Sequence, residues 1–220
     1  MTIKEAIKER HSVRQYKDLP IADDLRKELE KLIDECNEES GLNIQLVCND
    51  PECFDTLLAH YGRFTNAVNY IALVGNKDRD DLDEAAGYYG QKIVLAAQQM
   101  GLNTCWVAGT YGKSKCKAEV GPDEKIVCVI SIGYGETSGA KRKCKPLNKL
   151  CGVAESEMPG WFRNGVLAAM MAPTAMNQQK FNITMENGEP KITALRGPMA
   201  KIDLGIVKYN FEAASGHKCK

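Results

Sequence analysis

Apolar positions along the chain follow two rhythms, one helical and one strand-like, and each change of rhythm outlines an element. Ile3, Ala6 and Ile7 share one side of a turn opened by Thr2-Ile3-Lys4-Glu5, a capping-box pattern, which predicts a short helix ending near Arg10. Leu25, Leu29, Leu32 and Cys36 predict a second helix, capped by Asp23 or Asp24 and ending before Ser40-Gly41. "NIQLVC" (43–48) reads as a strand, "PECFDTLLAHY" (51–61) as a helix and "NYIALVG" (69–75) as a strand. Leu82, Ala86, Tyr89, Ile93, Ala97 and Met100 form the clearest helical stripe, closed by Gly101 where a left-handed residue is needed. "TCWVA" (104–108) and "IVCVISIGY" (126–134) follow as buried strands, with a short helix between them capped by Ser114 and stopped by Gly121-Pro122. After "AKRKCKPLNK" come a helix over 161–171, the loop "APTAMNQQ" (172–179), two strands around the Asn187-Gly188 turn, and a last helix over about 200–214.

This order is neither a regular strand–helix alternation nor all-helical, and it favours an α+β fold. A weak internal repeat crosses it. Gly90 and Gly101 bracket "QKIVLAAQQM", and Gly205 and Gly216 bracket "IVKYNFEAAS" at the same separation.

Composition narrows the function classes. With 220 residues, 44% of them apolar, the chain can bury a sizeable core. Lys plus Arg and Asp plus Glu balance at 29 each, so no global basic field exists for sequence-independent nucleic-acid binding. No apolar run reaches the length of a membrane span and the first residues read as helix, so the expectation is a cytoplasmic protein. Nine cysteines without a CxxC pair, and three histidines without ligand spacing, argue against a disulfide framework and a zinc site. Cys48, Cys105 and Cys128 lie in apolar runs and read as reduced core residues.

Two glycine-rich stretches fail as nucleotide motifs. "VAGTYGKS" (107–114) has Val107 where a P-loop needs glycine, and "GYGETSG" (133–139) is followed by "AKRKCKP", which cannot start the helix a dinucleotide cradle needs. The segment "ERHSVRQYKD" (9–18) is better evidence. Arg10, Ser12 and Arg14 alternate along an extended stretch, so two guanidinium forks and a hydroxyl leave on one face, a donor set suited to a phosphate monoester. The competing reading is a solvated basic turn.

"ERHSVRQYKD", "GQKIVLAAQQMGLNTCWVAG", "ISIGYGE" with its basic, Pro-containing tail, and "APTAMNQQKF" together resemble the motifs of the FMN-dependent nitroreductase family. The resemblance implies a nitroreductase-like α+β fold with a central mixed sheet flanked by helices. It also implies non-covalent FMN, with NADH or NADPH as electron donor and a nitroaromatic, quinone or related small molecule as acceptor. One departure stands out. In the usual family member the AP…N-Q loop follows the second helix, where this chain has "NEESGLNIQLV". The order resembles a subgroup carrying two family-like halves in one chain, here 1–150 as a nearly complete half and 151–220 as a shortened one, forming an intrachain pseudo-dimer.

By that resemblance Arg10, His11, Ser12 and Arg14 contact the FMN phosphate and ribityl chain, and one of Arg142, Lys143 and Lys145 completes the phosphate site. Arg63 is implied near the pyrimidine edge, where a cation favours the electron-rich reduced ring. Val107, Ala108 and Gly109 are implied at N5, with the Trp106 ring left to core packing. Pro173, Thr174 and Asn177 are implied across the usual dimer interface, at the ring's carbonyl and N–H edge, with Met176 packing near it. No side chain is needed as catalytic acid or base, because the flavin carries the hydride. An FMN store or sensor without turnover is the alternative. The pseudo-dimer is compatible with an active monomer, and pairing of chains stays open.

Overall fold

The computed structural model describes all 220 residues, the side chain of Leu58 excepted. The chain divides into two compact units, both discontinuous in sequence. Unit one comprises Met1–Glu9, Asp83–Leu95 and Arg142–Lys220; unit two comprises Arg10–Leu82 and Ala96–Lys141.

Unit two is built on a four-stranded sheet of β1 (Gln45–Val47), β2 (Tyr70–Asn76), β3 (Asn103–Val107) and β4 (Glu124–Gly133), in the order β1-β2-β4-β3. Every pairing of these strands is antiparallel. The mixed character expected of the sheet is confined to single parallel bridges, Ser12 to Thr104 and Gln15 to Thr65. The two inner strands β2 and β4 are apolar on both faces, which is why they read as unbroken hydrophobic runs and not as alternating ones. Val13, Tyr16, Phe54, Phe64, Tyr70, Val107, Tyr111 and Val129 belong to the core of this unit.

A long helix, α2 (Asp23–Ser40), buries Leu29, Ile33 and Cys36 and packs on β1. Its cap position falls on Ala22, so Asp23 and Asp24 lie inside the first turn and act on the helix dipole, not as side-chain caps. Gly41, at φ 68°, ends it. The stretch 51–61 is not one helix. A 3-10 turn, Glu52–Phe54, and a short α3, Leu57–Tyr61, are separated at Asp55, whose ψ of 65° is not helical. Between β3 and β4 only a 3-10 turn forms, Lys113–Lys115, without a side-chain cap from Ser114.

Unit one holds α1 (Ile3–Glu9), most of α4 (Leu82–Gln99), α5 (Gly160–Met170), the hairpin β5 (Phe181–Glu186) and β6 (Glu189–Ala194), and α6 (Ala200–Ser215). The capping box at α1 is reciprocal. Thr2 N donates to Glu5 Oε2 at 2.7 Å and Glu5 N donates to Thr2 Oγ1 at 3.3 Å. Asn187 and Gly188 both have positive φ, 53° and 81°, as a two-residue hairpin turn of the primed kind requires. Ala6, Ile7, Leu95, Ala168 and Ala214 form a compact core beneath α1.

Two glycines set the crossing of α4 and α6. A Cβ on Gly205 would lie 1.9 Å from the Glu84 carbonyl oxygen, and one on Gly87 would lie 2.1 Å from the Ile202 carbonyl oxygen. The helices therefore touch backbone to backbone, which no larger residue permits at either position. Flanking the contact, Lys208 Nζ meets Glu84 at 2.6 Å, the Tyr88 hydroxyl donates to Glu212 at 2.7 Å, and buried Gln91 donates to buried Asn210 at 2.9 Å.

Candidate functional site

In unit two, the segment after α1 is held open against the sheet by its backbone. Val13 N donates to Thr104 O at 3.1 Å, Tyr16 N to Thr65 O at 3.0 Å, and Thr65 N to Arg14 O at 3.0 Å. Val13 and Tyr16 are each 1% exposed, and the Tyr16 hydroxyl donates to Val13 O at 2.7 Å while lying 2.8 Å from Ser131 Oγ. These anchors decide what the neighbouring side chains do. Arg10 is buried, His11 and Ser12 are half-buried, and Arg14 is exposed with its guanidinium 6.0 Å from the Phe64 ring centre.

The Cys105 thiol on β3 reports their convergence. Burial pushes it up, while Arg14, the Ser12 hydroxyl and Arg10 each pull it down. Both arginines and the hydroxyl are thus near enough to β3 to act on this buried thiol. Gly139, at φ 79°, passes directly over them. A Cβ there would lie 2.9 Å from both His11 Cβ and Ser12 O.

Val107, 3% exposed, closes β3, and Ala108 and Gly109 emerge from it into the open. Nothing lies within 4 Å of the place a Gly109 side chain would occupy. Ala108 and Gly109 line a cavity of about 490 Å³ together with Thr56, Tyr111, Gly112, Lys113, Ser114 and Val127. Trp106 is half-buried. Arg63 is exposed in a turn after α3, at φ 61°.

In unit one, the basic tail and the 172–179 loop are laced together. Asn177 Nδ2 and Gln179 Nε2 each donate to Lys143 O at 2.8 Å. Lys145 Nζ donates to Gln178 O at 2.7 Å and Gln179 O at 3.1 Å, and Lys145 N to Gln179 Oε1 at 2.8 Å. Thr174 Oγ1 accepts from Gln179 N at 3.0 Å, and Pro173 is half-buried at the loop's start. Arg142 turns its fork to carbonyl groups, donating to Ile7 O at 3.2 Å, Lys8 O at 3.2 Å and Met171 O at 2.8 Å, which satisfies the ends of α1 and α5. Lys143, whose carbonyl holds the loop, is exposed.

The loop is tightly wound. Met176, Asn177 and Gln179 all have positive φ, at 51°, 52° and 45°. Such residues cost of order 1 kcal/mol or more each and persist where the surroundings over-determine them. The determinant is Asp203, 4% exposed on α6, whose carboxylate accepts from Ala175 N at 2.9 Å and from Gln178 Nε2 at 2.8 Å. Burial raises its carboxyl above the ordinary value, against the opposing pull of Gln178 and Ala175. Met176, by contrast, is 82% exposed at the tip. Gln179 and Asp203 were not legible as loop-forming residues, because their partners lie up to 36 positions away. The doubled Gln after Asn177 was the one local hint.

The family model described as "Putative TM nitroreductase" matches residues 2–215, and the chain belongs to that family. A putative nitroreductase of Thermotoga maritima is 25% identical with a TM-score of 0.68, over 97% of this chain and 83% of that one. One from Desulfovibrio desulfuricans, solved in complex with FMN, is 22% identical with a TM-score of 0.53, covering 71% of this chain and 98% of its own. A protein of Parabacteroides distasonis described as a putative NADH dehydrogenase/NAD(P)H nitroreductase is 21% identical with a TM-score of 0.53, covering 67% and 95%. No curated protein matches. Among the described residues, no helix is long and apolar enough to cross a membrane.

Proposed function

We propose that this oxidoreductase binds FMN without a covalent bond and passes electrons from NADH or NADPH to a small-molecule acceptor of the nitroaromatic or quinone kind. The observation that carries the reading is the placement of Arg10, Ser12 and Arg14 on one extended segment that the Ser12–Thr104 bridge and the Val13 N to Thr104 O bond at 3.1 Å fix along β3. A phosphate monoester needs that set of charge-assisted donors, and each bond of the type contributes about 1.5 to 3 kcal/mol. His11 adds its half-buried backbone to the same edge.

The open space at Gly109 fits the flat face of a flavin. The backbone N–H groups of Val107, Ala108 and Gly109 are the donors available to a ring nitrogen. When bound, FMN supplies the hydride chemistry; the chain's own residues bind it, orient it and limit water. Arg63 is proposed at the pyrimidine edge and Lys143 or Lys145 at the phosphate, with Pro173, Thr174 and Asn177 contributing through the wound loop. Arg142, already committed to three carbonyls, fits a positioning role better than a phosphate contact.

The division into a nearly complete half, 1–150, and a shortened half, 151–220, is also proposed. Gly87 meets Ile202, and their separation in sequence equals that between Gly90 and Gly205 and between Gly101 and Gly216. On a two-fold axis a position meets its own equivalent, so this contact supports an intrachain pseudo-dimer. Gly101 and Gly216 close their helices in the same left-handed conformation, φ 81° and 73°. Such a chain is expected to work as a monomer inside the cell.

Adding FMN to purified protein and recording the flavin spectrum tests the binding. Anaerobic NADH and NADPH then test turnover. Bleaching within seconds is expected with at least one donor. A protein that takes up no FMN overturns the proposal, and one that binds FMN but bleaches with neither donor is a store or sensor.

A further inference from the structure

Unit two contains a second polar cluster, made of residues the flavin reading does not use. Cys53 sits in the 3-10 turn Glu52–Phe54 and Cys116 just past the turn Lys113–Lys115, and Cys116 packs against the core cluster that contains Cys53. The segments that carry them are tied by Gly112 N donating to Cys53 O at 2.7 Å and by Lys115 Nζ meeting Glu52 at 3.3 Å. Behind the sulfurs, fully buried Asp50 accepts from the Tyr70 hydroxyl at 2.6 Å and lies 3.3 Å from Lys117 Nζ, while Lys117 N donates to the Tyr70 oxygen at 2.8 Å. The Ala118 N–H also donates to Cys116. Cys53 is fully buried and Cys116 half-buried, so of the pair Cys116 is the more accessible.

We propose that Cys53 and Cys116 form a redox-active dithiol that closes to an intrachain disulfide on reaction with low-molecular-weight disulfides.

The arrangement gives each sulfur a role. Donation from Cys53, helped by Tyr70 and the Ala118 N–H, holds the Cys116 thiol well below the ordinary value, against burial and the Asp50 charge. Donating to Cys116, together with burial, pushes Cys53 up. Cys116 is therefore the thiolate nucleophile. It attacks one sulfur of the small disulfide, that S–S bond breaks, and one thiolate leaves. Cys53 then attacks the Cys116 sulfur, its proton passing to the second departing thiolate. Two protein thiols are oxidised, and one small disulfide is reduced to two thiols.

The bond would have a structural reach. Thr56 follows Cys53 closely and Gly112, Lys113 and Ser114 precede Cys116, and these residues stand on two sides of the 490 Å³ cavity that includes Ala108 and Gly109. A Cβ on Gly112 would already lie 2.8 Å from Thr56 Cγ2, so the linked segments are in contact before any bond forms.

The test treats the folded full-length protein with oxidised glutathione, blocks remaining thiols, and maps peptides without reduction. A Cys53–Cys116 linked pair, lighter by two hydrogens, is expected in the wild type. A stable glutathionyl adduct on Cys116 is expected in Cys53→Ser, and neither product at Cys53 in Cys116→Ser. Alkylation of Cys116 should also persist at acidic pH where an ordinary thiol has stopped reacting. A wild-type map in which Cys53 and Cys116 stay reduced while Cys144 carries glutathione overturns the proposal, even if a serine variant fails to fold. So does Cys116 joined to any other cysteine.

Discussion

Replacing Gly205 by alanine puts one methyl group into the closest backbone contact in unit one. The new Cβ would lie 1.9 Å from Glu84 O and 2.6 Å from Tyr88 N, where ordinary contact begins at 3.4 Å. Both neighbours are backbone, so no side chain can rotate away and the helices must part by more than an ångström. Helix propensity alone favours alanine over glycine by about 1 kcal/mol. Overpacking opposes it by about 1 to 3 kcal/mol. Parting the helices also stretches Gln91 to Asn210, both buried, and leaving such groups unpaired costs a further 1 to 3 kcal/mol or so. The net expectation is a loss of about 1 to 5 kcal/mol, a large share of the roughly 5 to 15 kcal/mol that stabilises a typical domain. Urea denaturation followed by far-ultraviolet circular dichroism should show the midpoint falling by about 0.5 to 2.5 M at an m-value of about 2 kcal/mol/M. Gly160→Ala is the control, because nothing lies within 4 Å of its added Cβ, and its midpoint should stay level or rise. A Gly205→Ala midpoint equal to or above the wild type would refute the close-contact argument.

Three more outcomes follow from the geometry. Arg14→Ala should weaken FMN binding by about 1.5 to 3 kcal/mol in a fluorescence titration and leave riboflavin binding almost unchanged; equal weakening of both would mean that Arg14 does not read phosphate. Asp203 binds its proton more tightly folded than unfolded, so the wild type should lose stability relative to Asp203→Asn as pH rises from the ordinary carboxylate range through its raised folded value, measured as the difference between their thermal midpoints; a constant difference would remove Asp203 from the account. Titrating apoprotein with FMN while measuring mass in solution should give one FMN per chain on a monomer, because the shortened half 151–220 has no counterpart of the Arg10–Arg14 cluster; two per chain would refute that reading, and loss of binding on dilution would place the Asn177 loop in a second chain.

What the sequence revealed was mostly local. The Thr2–Glu5 box, the 82–100 stripe and the Asn187-Gly188 turn depend on neighbours within a turn or two, and each formed as read. Where a distant partner intervened, the reading slipped. Cys53 and Phe54 are drawn into the core of unit two, which breaks the 51–61 run at Asp55. Asp23 and Asp24 looked like caps, yet the chain turns into α2 at Ala22. At the candidate site, Arg10, Ser12 and Arg14 were visible as a donor set, whereas their convergence on Cys105 required β3 to lie alongside. Asn177 was visible too, but not its bond to Lys143 O, which depends on two segments 34 positions apart.

The discontinuity of unit one also orders events in time. All four strands of unit two are synthesised by Gly133, well before residue 220, so its sheet can assemble while the end of the chain is still being made. Helix α1, synthesised first, packs on α5 and α6, which come last. At about 5 to 20 residues per second, the stretch from 142 to 220 takes about 4 to 16 s to appear. Through that interval Ala6 and Ile7 can meet Leu95 but not Ala168 or Ala214, so the core beneath α1 is completed late.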